Sequence, residues 1–141
     1  MNFGVGLWRL ADPKVSLASF ASLFLGLAAA SAHVPLAWGW LVLTVAGIFA
    51  VEVAKNASGE VFDFDSGVDQ AVSNEDRSPF SGGKRVLVDS LLSRGQTWAI
   101  ALGGYSLAIV IGLLICVMLE PRVLTIGIAG TALAFFYHAP P

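Results

Sequence analysis

Residues 98–119 read WAIALGGYSLAIVIGLLICVML and decide the fold. These 22 residues carry no charge, and most of them are apolar. A helix needs about 20 mostly apolar residues to cross the hydrocarbon core of a bilayer. The stretch therefore predicts a membrane-spanning helix, in which the single cysteine, Cys116, packs against lipid or another helix.

Three further apolar runs flank this one. Together with it they predict spans over about residues 14–34, 36–56, 97–119 and 122–138, with a polar loop over about 57–96. The composition agrees, since 56% of the 141 residues are apolar, only 13% are charged and the mean hydropathy is +0.76. Soluble domains hold about 25% charged residues. The predicted fold is all-α, a polytopic transmembrane bundle of about four helices.

The basic residues predict how the bundle is oriented. Seven of the eight Lys and Arg residues fall on one side of the predicted spans, and Arg122 alone falls on the other. Loops rich in Lys and Arg stay in the cytoplasm. The N-terminus and loop 57–96 are therefore expected on the cytoplasmic side of the cell membrane, with Trp8 and Arg9 as interfacial anchors before the first span. The net charge of −2 and the scattered cations give no nucleic-acid site.

Polar residues follow the second predicted span at helical spacing. If the helix continues beyond the membrane, four of them fall within about an 80° arc of its surface: Glu52, Asn56, Glu60 and Asp63. Gly67 is expected to end the helix and let Asp69 turn back toward that face. Carboxylates brought together repel one another unless a cation lies between them, and Mg²⁺ with oxygen ligands fits best. The alternative is an ordinary solvated acidic turn.

The spacing of these residues resembles the first aspartate-rich motif of the UbiA superfamily of intramembrane aromatic prenyltransferases. It is most similar to the branch that prenylates 1,4-dihydroxy-2-naphthoate in menaquinone synthesis, through Asn56, Glu60, Asp63, Gly67 and Asp69. Two positions depart from the motif, because Gly59 stands where the branch usually has a second Asn, and Glu60 where it usually has Asp. The closing FYHAPP (136–141) is also similar to the end of the family's fourth helix.

The resemblance implies a fold of about nine transmembrane helices around a central cavity, of which this chain would supply the N-terminal part. It implies that Mg²⁺ and a prenyl diphosphate bind between two aspartate-rich motifs. Ionisation of the diphosphate ester would give an allylic carbocation, which an aromatic acceptor attacks. The implied Mg²⁺ ligands are Asn56, Glu60, Asp63 and Asp69, with Asn56 also on the diphosphate and Asp63 and Asp69 as catalytic residues. Asp65 is expected to be a solvated neighbour of these ligands. Glu52 is expected to contact the ligands without binding the metal ion itself.

A glycine-containing basic segment, DRSPFSGGKR at 76–85, follows the motif. Its glycines predict a loop that closes on phosphate groups, so Lys84, Arg85 and Arg77 are candidates for binding the diphosphate. The alternative is contact between these cations and anionic lipid head groups. The two lone histidines, His33 and His138, are expected at the membrane interface rather than in catalysis.

The predicted function is Mg²⁺-dependent transfer of a prenyl group from a prenyl diphosphate to an aromatic acceptor, as the resemblance implies. Four helices cannot enclose the family's cavity, and a second aspartate-rich motif is absent. The chain is therefore expected to be an incomplete half of an enzyme, inactive alone, with the rest supplied by more sequence or by a second polypeptide. The alternatives are a transporter or channel subunit whose acidic loop binds cations, and a purely structural membrane subunit. The scarcity of ionisable residues inside the spans argues against transport.

Overall fold

The computed structural model describes residues 1–12, 14, 16–73, 75–77 and 83–139. Every regular element in these ranges is a helix, which confirms the all-α class. The six helices are α1 (Phe3–Ala11), α2 (Leu17–Ser31), α3 (Trp38–Ser66), α4 (Val68–Ala71), α5 (Arg94–Met118) and α6 (Val123–Phe136).

Two of the helices, α3 and α5, are long and apolar enough to cross a membrane. They contain 29 and 25 residues, which makes them about 43 and 37 Å long, against a hydrocarbon core of about 30 Å. Only 11% of the apolar window of each helix is buried inside the protein. Large side chains of α5 such as Leu102, Val110 and Val117 are exposed. A surface this apolar is stable against lipid or further helices and not against water.

The other two predicted spans appear as shorter apolar helices. α2 and α6 contain 15 and 14 residues, or about 22 and 21 Å. They lie within the predicted ranges 14–34 and 122–138 but do not reach spanning length, because each ends in a turn, at Ala32 and Tyr137. By length and composition, two helices of the described chain rather than four qualify as spans.

The second predicted span continues well beyond its expected end. α3 runs as one helix to Ser66, so residues 57–66 are helical and extend past the apolar part, although the predicted boundaries placed them in the loop. Gly67 ends the helix in the left-handed conformation, with φ 83°, and its N–H donates to the Phe64 carbonyl at 3.2 Å. Glycine adopts this conformation without strain, which explains why the helix stops here. The short α4 follows and carries Asp69 into a buried position.

Small residues hold α3 against α5. Ala54 and Ala101 are fully buried between the helices. Gly104 of α5 lies so close to α3 that a Cβ atom there would be 2.8 Å from the Ala50 carbonyl oxygen. Helices in lipid lack the hydrophobic drive to associate and depend instead on this kind of close backbone contact. The α3–α5 pair is therefore the frame on which the polar end of the protein is built.

α1 is a separate helix that packs on this polar end. Leu10 is fully buried beside Val86 of the covering loop, the name used here for residues 83–93. Arg9 pairs with Asp89 of the same loop at 2.5 Å. Trp8 is 68% exposed. The expected role of Trp8 and Arg9 as interfacial anchors stays a prediction.

Candidate functional site

The acids of α3 and α4 meet beneath the covering loop. Glu60 and Asp69 are only 3% and 2% exposed. Glu60 lies in the stretch 56–61 of α3, in which every residue is buried, and the bend at Gly67 brings Asp69 back toward it. The charges of Asp63 and Asp69 both act on Glu60. The structure therefore gathers three of the predicted acids in one place.

One carboxylate oxygen of Glu60 accepts a hydrogen bond, and the other has no partner among the described residues. Its Oε1 accepts a hydrogen bond from the Leu87 N–H at 2.8 Å. Its Oε2 is buried and has no partner among the described residues. Burial raises the pKa of Glu60 from 4.5 to about 7; the Leu87 amide opposes this shift, and the charge of Asp69 adds to it. A carboxylate that is so unfavourable to ionise is stabilised strongly by a cation placed at its free oxygen.

Asp69 is enclosed by the backbone of the covering loop. A Cβ atom on Gly83 would overlap the Asp69 carboxylate, so the loop lies directly against it. Gly83 has φ 75°, which only glycine adopts readily. Asp69 Oδ2 is buried and unpaired within the described ranges. Burial raises the pKa of Asp69, the neighbouring Asp63 adds to the shift, and Arg85 and Arg77 oppose it.

Asp63 is the most open of the three acids, with 33% of its side chain exposed. Burial raises its pKa, and the charge of His138 opposes this shift. His138 Nε2 lies 3.9 Å from Asp63 Oδ2, so the histidine expected at the membrane interface stands beside the acidic face. One sign of this neighbour was present in the sequence, because His138 lies in the FYHAPP segment singled out by its resemblance.

Asn56 joins α3 to α1. Its Nδ2 donates to the Leu10 carbonyl at 2.7 Å, and Leu10 is in the last turn of α1, where carbonyls lack partners within their own helix. Asn56 is 7% exposed. The amide nitrogen of Asn56 is taken up by this hydrogen bond. A role for Asn56 in binding Mg²⁺ or diphosphate therefore stays a prediction, and it would have to use the side-chain oxygen.

Replacing Asn56 with alanine should loosen α1. The Leu10 carbonyl would be left buried and unpaired, which costs about 1–3 kcal/mol. Tryptic cleavage after Arg9 in detergent should therefore accelerate about tenfold. Gln70→Ala is the matched control, because Gln70 donates to the Phe64 carbonyl at 3.1 Å from an exposed position. Equal cleavage rates in the two variants would show that the Asn56 bond does not hold α1.

Two of the predicted diphosphate-binding cations are paired with acids in this structure. Lys84 forms an ion pair with Asp12 at the end of α1. Arg85 Nη1 donates to the Asp69 carbonyl oxygen at 3.2 Å, and its Nε lies 3.6 Å from Asp89 Oδ1. Both cations therefore border the acidic site. An anion of higher charge could displace the acids with which they pair.

Part of the predicted phosphate-binding segment lies outside the described residues. Residues 78–82 belong to this part. Pro140 and Pro141 of the FYHAPP segment also lie outside the described residues. Arg77 is among the described residues. It lies near enough to Asp69 that its charge offsets part of the rise that burial causes in the pKa of Asp69. All three predicted cations thus lie around the same acids.

The other two acids of α3, Glu52 and Asp65, lie away from the acidic site. Glu52 accepts a hydrogen bond from the Ser19 hydroxyl and pairs with Lys55 at 2.9 Å. It borders a cavity of about 390 Å³ between α2, α3, α5 and α6. Asp65 is on the outer surface, where it pairs with Arg94 at 2.5 Å. Neither carboxylate is joined to the acidic site by a direct contact in the described part of the chain.

The site offers donors for a hard divalent cation without forming a complete cage. Within the described ranges no three His, Cys, Asp or Glu side chains are grouped closely enough to hold a metal ion by themselves. Glu60 Oε2 and Asp69 Oδ2 are nevertheless free of hydrogen bonds from described residues. Mg²⁺ keeps several waters and takes one or two carboxylates together with substrate phosphates. The residues therefore fit a Mg²⁺ ion that binds together with an anionic ligand.

The fold and the site define an all-helical protein of membrane character with a buried acidic site, bordered by cations, at the polar end of its longest helix. The chain is 29% identical over 143 residues to the 1,4-dihydroxy-2-naphthoate octaprenyltransferase of Bacillus subtilis (strain 168), a match that covers 99% of this chain. This confirms the resemblance drawn from the motif. The chain spans 43% of the length of that relative. No protein-family model and no solved structure matches the chain.

Proposed function

We propose that this chain is part of a Mg²⁺-dependent prenyltransferase of the UbiA type, which transfers a prenyl group from a prenyl diphosphate to an aromatic acceptor in menaquinone synthesis. The observation that carries the proposal is the pair of buried acids, Glu60 and Asp69, each with an oxygen that no described residue pairs. Similarity to a dihydroxynaphthoate octaprenyltransferase supports an acceptor like dihydroxynaphthoate.

Two of the acids keep a carboxylate oxygen that no described residue pairs and that a cation could take. Glu60, Asp63 and Asp69 would hold Mg²⁺, with the Asn56 oxygen as a further ligand. When bound, the ion would neutralise charge on the leaving diphosphate. The covering loop fixes Glu60 through the hydrogen bond from the Leu87 N–H, and its Gly83 backbone lies directly against the Asp69 carboxylate. Groups fixed before the reaction need not reorganise during it.

The cations would bind the diphosphate. Lys84 and Arg85 would exchange Asp12 and Asp89 for phosphate oxygens, and Arg77 would approach from the same side. In the reaction the C–O bond to the diphosphate breaks and the diphosphate keeps the electron pair. A carbon of the acceptor ring then bonds to the allylic carbon and loses its proton. Cations on the diphosphate stabilise the charge that develops on it.

Aromatic side chains form an apolar cluster at the same end of α3 as the acids. Phe62 directly precedes Asp63, and its ring packs edge-to-face on Trp98 at 5.6 Å and on Phe135 at 5.8 Å. Tyr105 extends this cluster, 6.1 Å from Phe135. An apolar cluster of this kind would keep water from an allylic group bound against it. It supports transfer to an acceptor rather than hydrolysis.

The proposal extends to the parts of the enzyme that this chain does not provide. Because the chain spans less than half of its relative, the remaining cavity wall and a second acidic motif would come from sequence outside this stretch, in the same polypeptide or in another. The seven cations on one side of the predicted spans support a cytoplasmic position for the N-terminus and the acidic site.

Membranes that contain the full-length protein should transfer labelled prenyl groups from a prenyl diphosphate to 1,4-dihydroxy-2-naphthoate. Transfer should require Mg²⁺, because removing the ion leaves the charge of the leaving diphosphate uncompensated. The measurement is extraction and chromatography of the prenylated product, with and without EDTA. Parallel reactions with 4-hydroxybenzoate would show whether the acceptor class is correct. Magnesium binding or uptake without transfer to any aromatic acceptor would contradict the proposal and favour a cation-binding membrane subunit.

A further inference from the structure

His138 packs directly on α3 at the level of the acidic site. A Cβ atom on Gly59 would lie 2.7 Å from His138 Nδ1 and 2.8 Å from Cε1 and Cγ. The imidazole ring therefore occupies the space that any side chain at position 59 would need. Real Cβ atoms do not approach ring atoms this closely, so the ring can hold this position only if residue 59 is glycine.

The ring is held in place by the segment that follows α6. The Tyr137 ring packs edge-to-face on His138 at 4.6 Å, and the Ala139 N–H donates to the Phe135 carbonyl at 3.3 Å. Phe135 is itself fixed in the aromatic cluster by Phe62 at 5.8 Å. His138 is thus a preorganised side chain whose position depends on the same cluster that borders the acids.

One edge of this ring faces Asp63. His138 Nε2 is 3.9 Å from Asp63 Oδ2, about 1 Å beyond hydrogen-bond distance. The Asp63 carboxylate accepts no hydrogen bond from the residues that the structure describes, and with 33% of its side chain exposed it has room to rotate toward the ring. A carboxylate that binds a metal ion through one oxygen is commonly oriented by a hydrogen bond to the other.

We propose that His138 is a positioning residue of the acidic site: its Nε2–H donates to Asp63 and orients that carboxylate toward the bound cation and diphosphate, and Gly59 provides the space for its ring. This inference rests on the proposed function, because an oriented Asp63 matters only where the acids bind a cation. It also gives the glycine at position 59 a physical reason, since a larger residue there would displace the ring.

The test uses Mn²⁺ as the probe, with inorganic diphosphate, on the full-length protein in detergent, and follows binding by electron paramagnetic resonance. His138→Leu fills the space without a donor and should weaken Mn²⁺ binding about tenfold or more. His138→Gln carries an amide near the Nε2 position and should stay within about threefold of the unsubstituted protein. His33→Leu, which changes the exposed histidine before α3, should leave binding unchanged.

A second pair of variants tests the steric part. Gly59→Ala should displace the ring and weaken Mn²⁺ binding about as much as His138→Leu. In a His138→Ala background the same Gly59→Ala change should have little further effect, because no ring remains to be displaced. Two results would overturn the role of His138 without touching the proposed function. One is that the losses from Gly59→Ala and His138→Ala add in the double variant. The other is equal Mn²⁺ binding by His138→Leu and His138→Gln at matched thermal stability. Failure of the unsubstituted protein to bind Mn²⁺ with diphosphate would overturn the proposed function as well.

Discussion

Replacing Asp63 with asparagine should lower kcat/KM for prenyl transfer about a hundredfold or more in the full-length protein. The change removes one negative charge from the site while keeping the size of the side chain. Electrostatic groups that act on a developing charge contribute about this much when they are removed singly. Asp63 is the most exposed of the three clustered acids and faces His138, so a bound cation or diphosphate can reach it from solvent.

Asp65→Asn provides the matched control, two residues further along the same helix. Asp65 is on the outer surface and pairs with Arg94 at 2.5 Å, with 42% of its side chain exposed. Exposed ion pairs contribute about 1 kcal/mol or less, so turnover should stay within about twofold. Both rates are measured as initial velocities over a range of Mg²⁺ concentrations. If the two variants lose equal activity, or neither loses any, Asp63 does not act in the reaction.

Replacing Gly104 with alanine should destabilise the protein clearly. The new Cβ would lie 2.8 Å from the Ala50 carbonyl oxygen and 3.0 Å from the Ala54 Cβ. Both atoms belong to α3 and cannot move aside without shifting the helix. Overpacking of this kind costs about 1–3 kcal/mol. The midpoint of thermal unfolding in detergent should fall by several degrees, and activity should fall with it because α3 carries the acids.

The neighbouring glycine should give the opposite sign. A Cβ atom on Gly103 would meet no other atom within 4 Å, so Gly103→Ala adds helix propensity, worth up to about 1 kcal/mol, without a clash. Its unfolding midpoint should stay level or rise. If Gly104→Ala unfolds no earlier than Gly103→Ala, then α3 and α5 do not approach as closely as the structure has them.

The helices could be predicted from the sequence because apolar runs and helix stops are local signals. The run at 98–119 lies within α5 apart from its last residue, and Gly67 ends α3 where the spacing placed the break. The lengths of α2 and α6 could not be predicted in the same way. An apolar run shows which residues tolerate lipid, whereas the turns that shorten a helix depend on how its ends pack.

The acids of the site were predicted by their spacing, but their burial was not. Glu60 is covered by Leu87, 27 residues away, and Arg9 reaches Asp89 across 80 residues. His138 meets Asp63 only because α6 returns to the polar end of α3. Contacts between residues so distant in sequence leave no periodic signal, so the covering loop, the docking of α1 and the place of His138 required the structure.

α3 joins an apolar half and the acidic site in one continuous helix. No proline interrupts its 29 residues, and the helix that begins with apolar residues at Trp38 carries Asp63 near its other end. A helix adapts to a thinner or thicker bilayer by tilting. If α3 crosses a bilayer, a change in bilayer thickness is therefore expected to move its polar end, which carries Asp63, together with its apolar end.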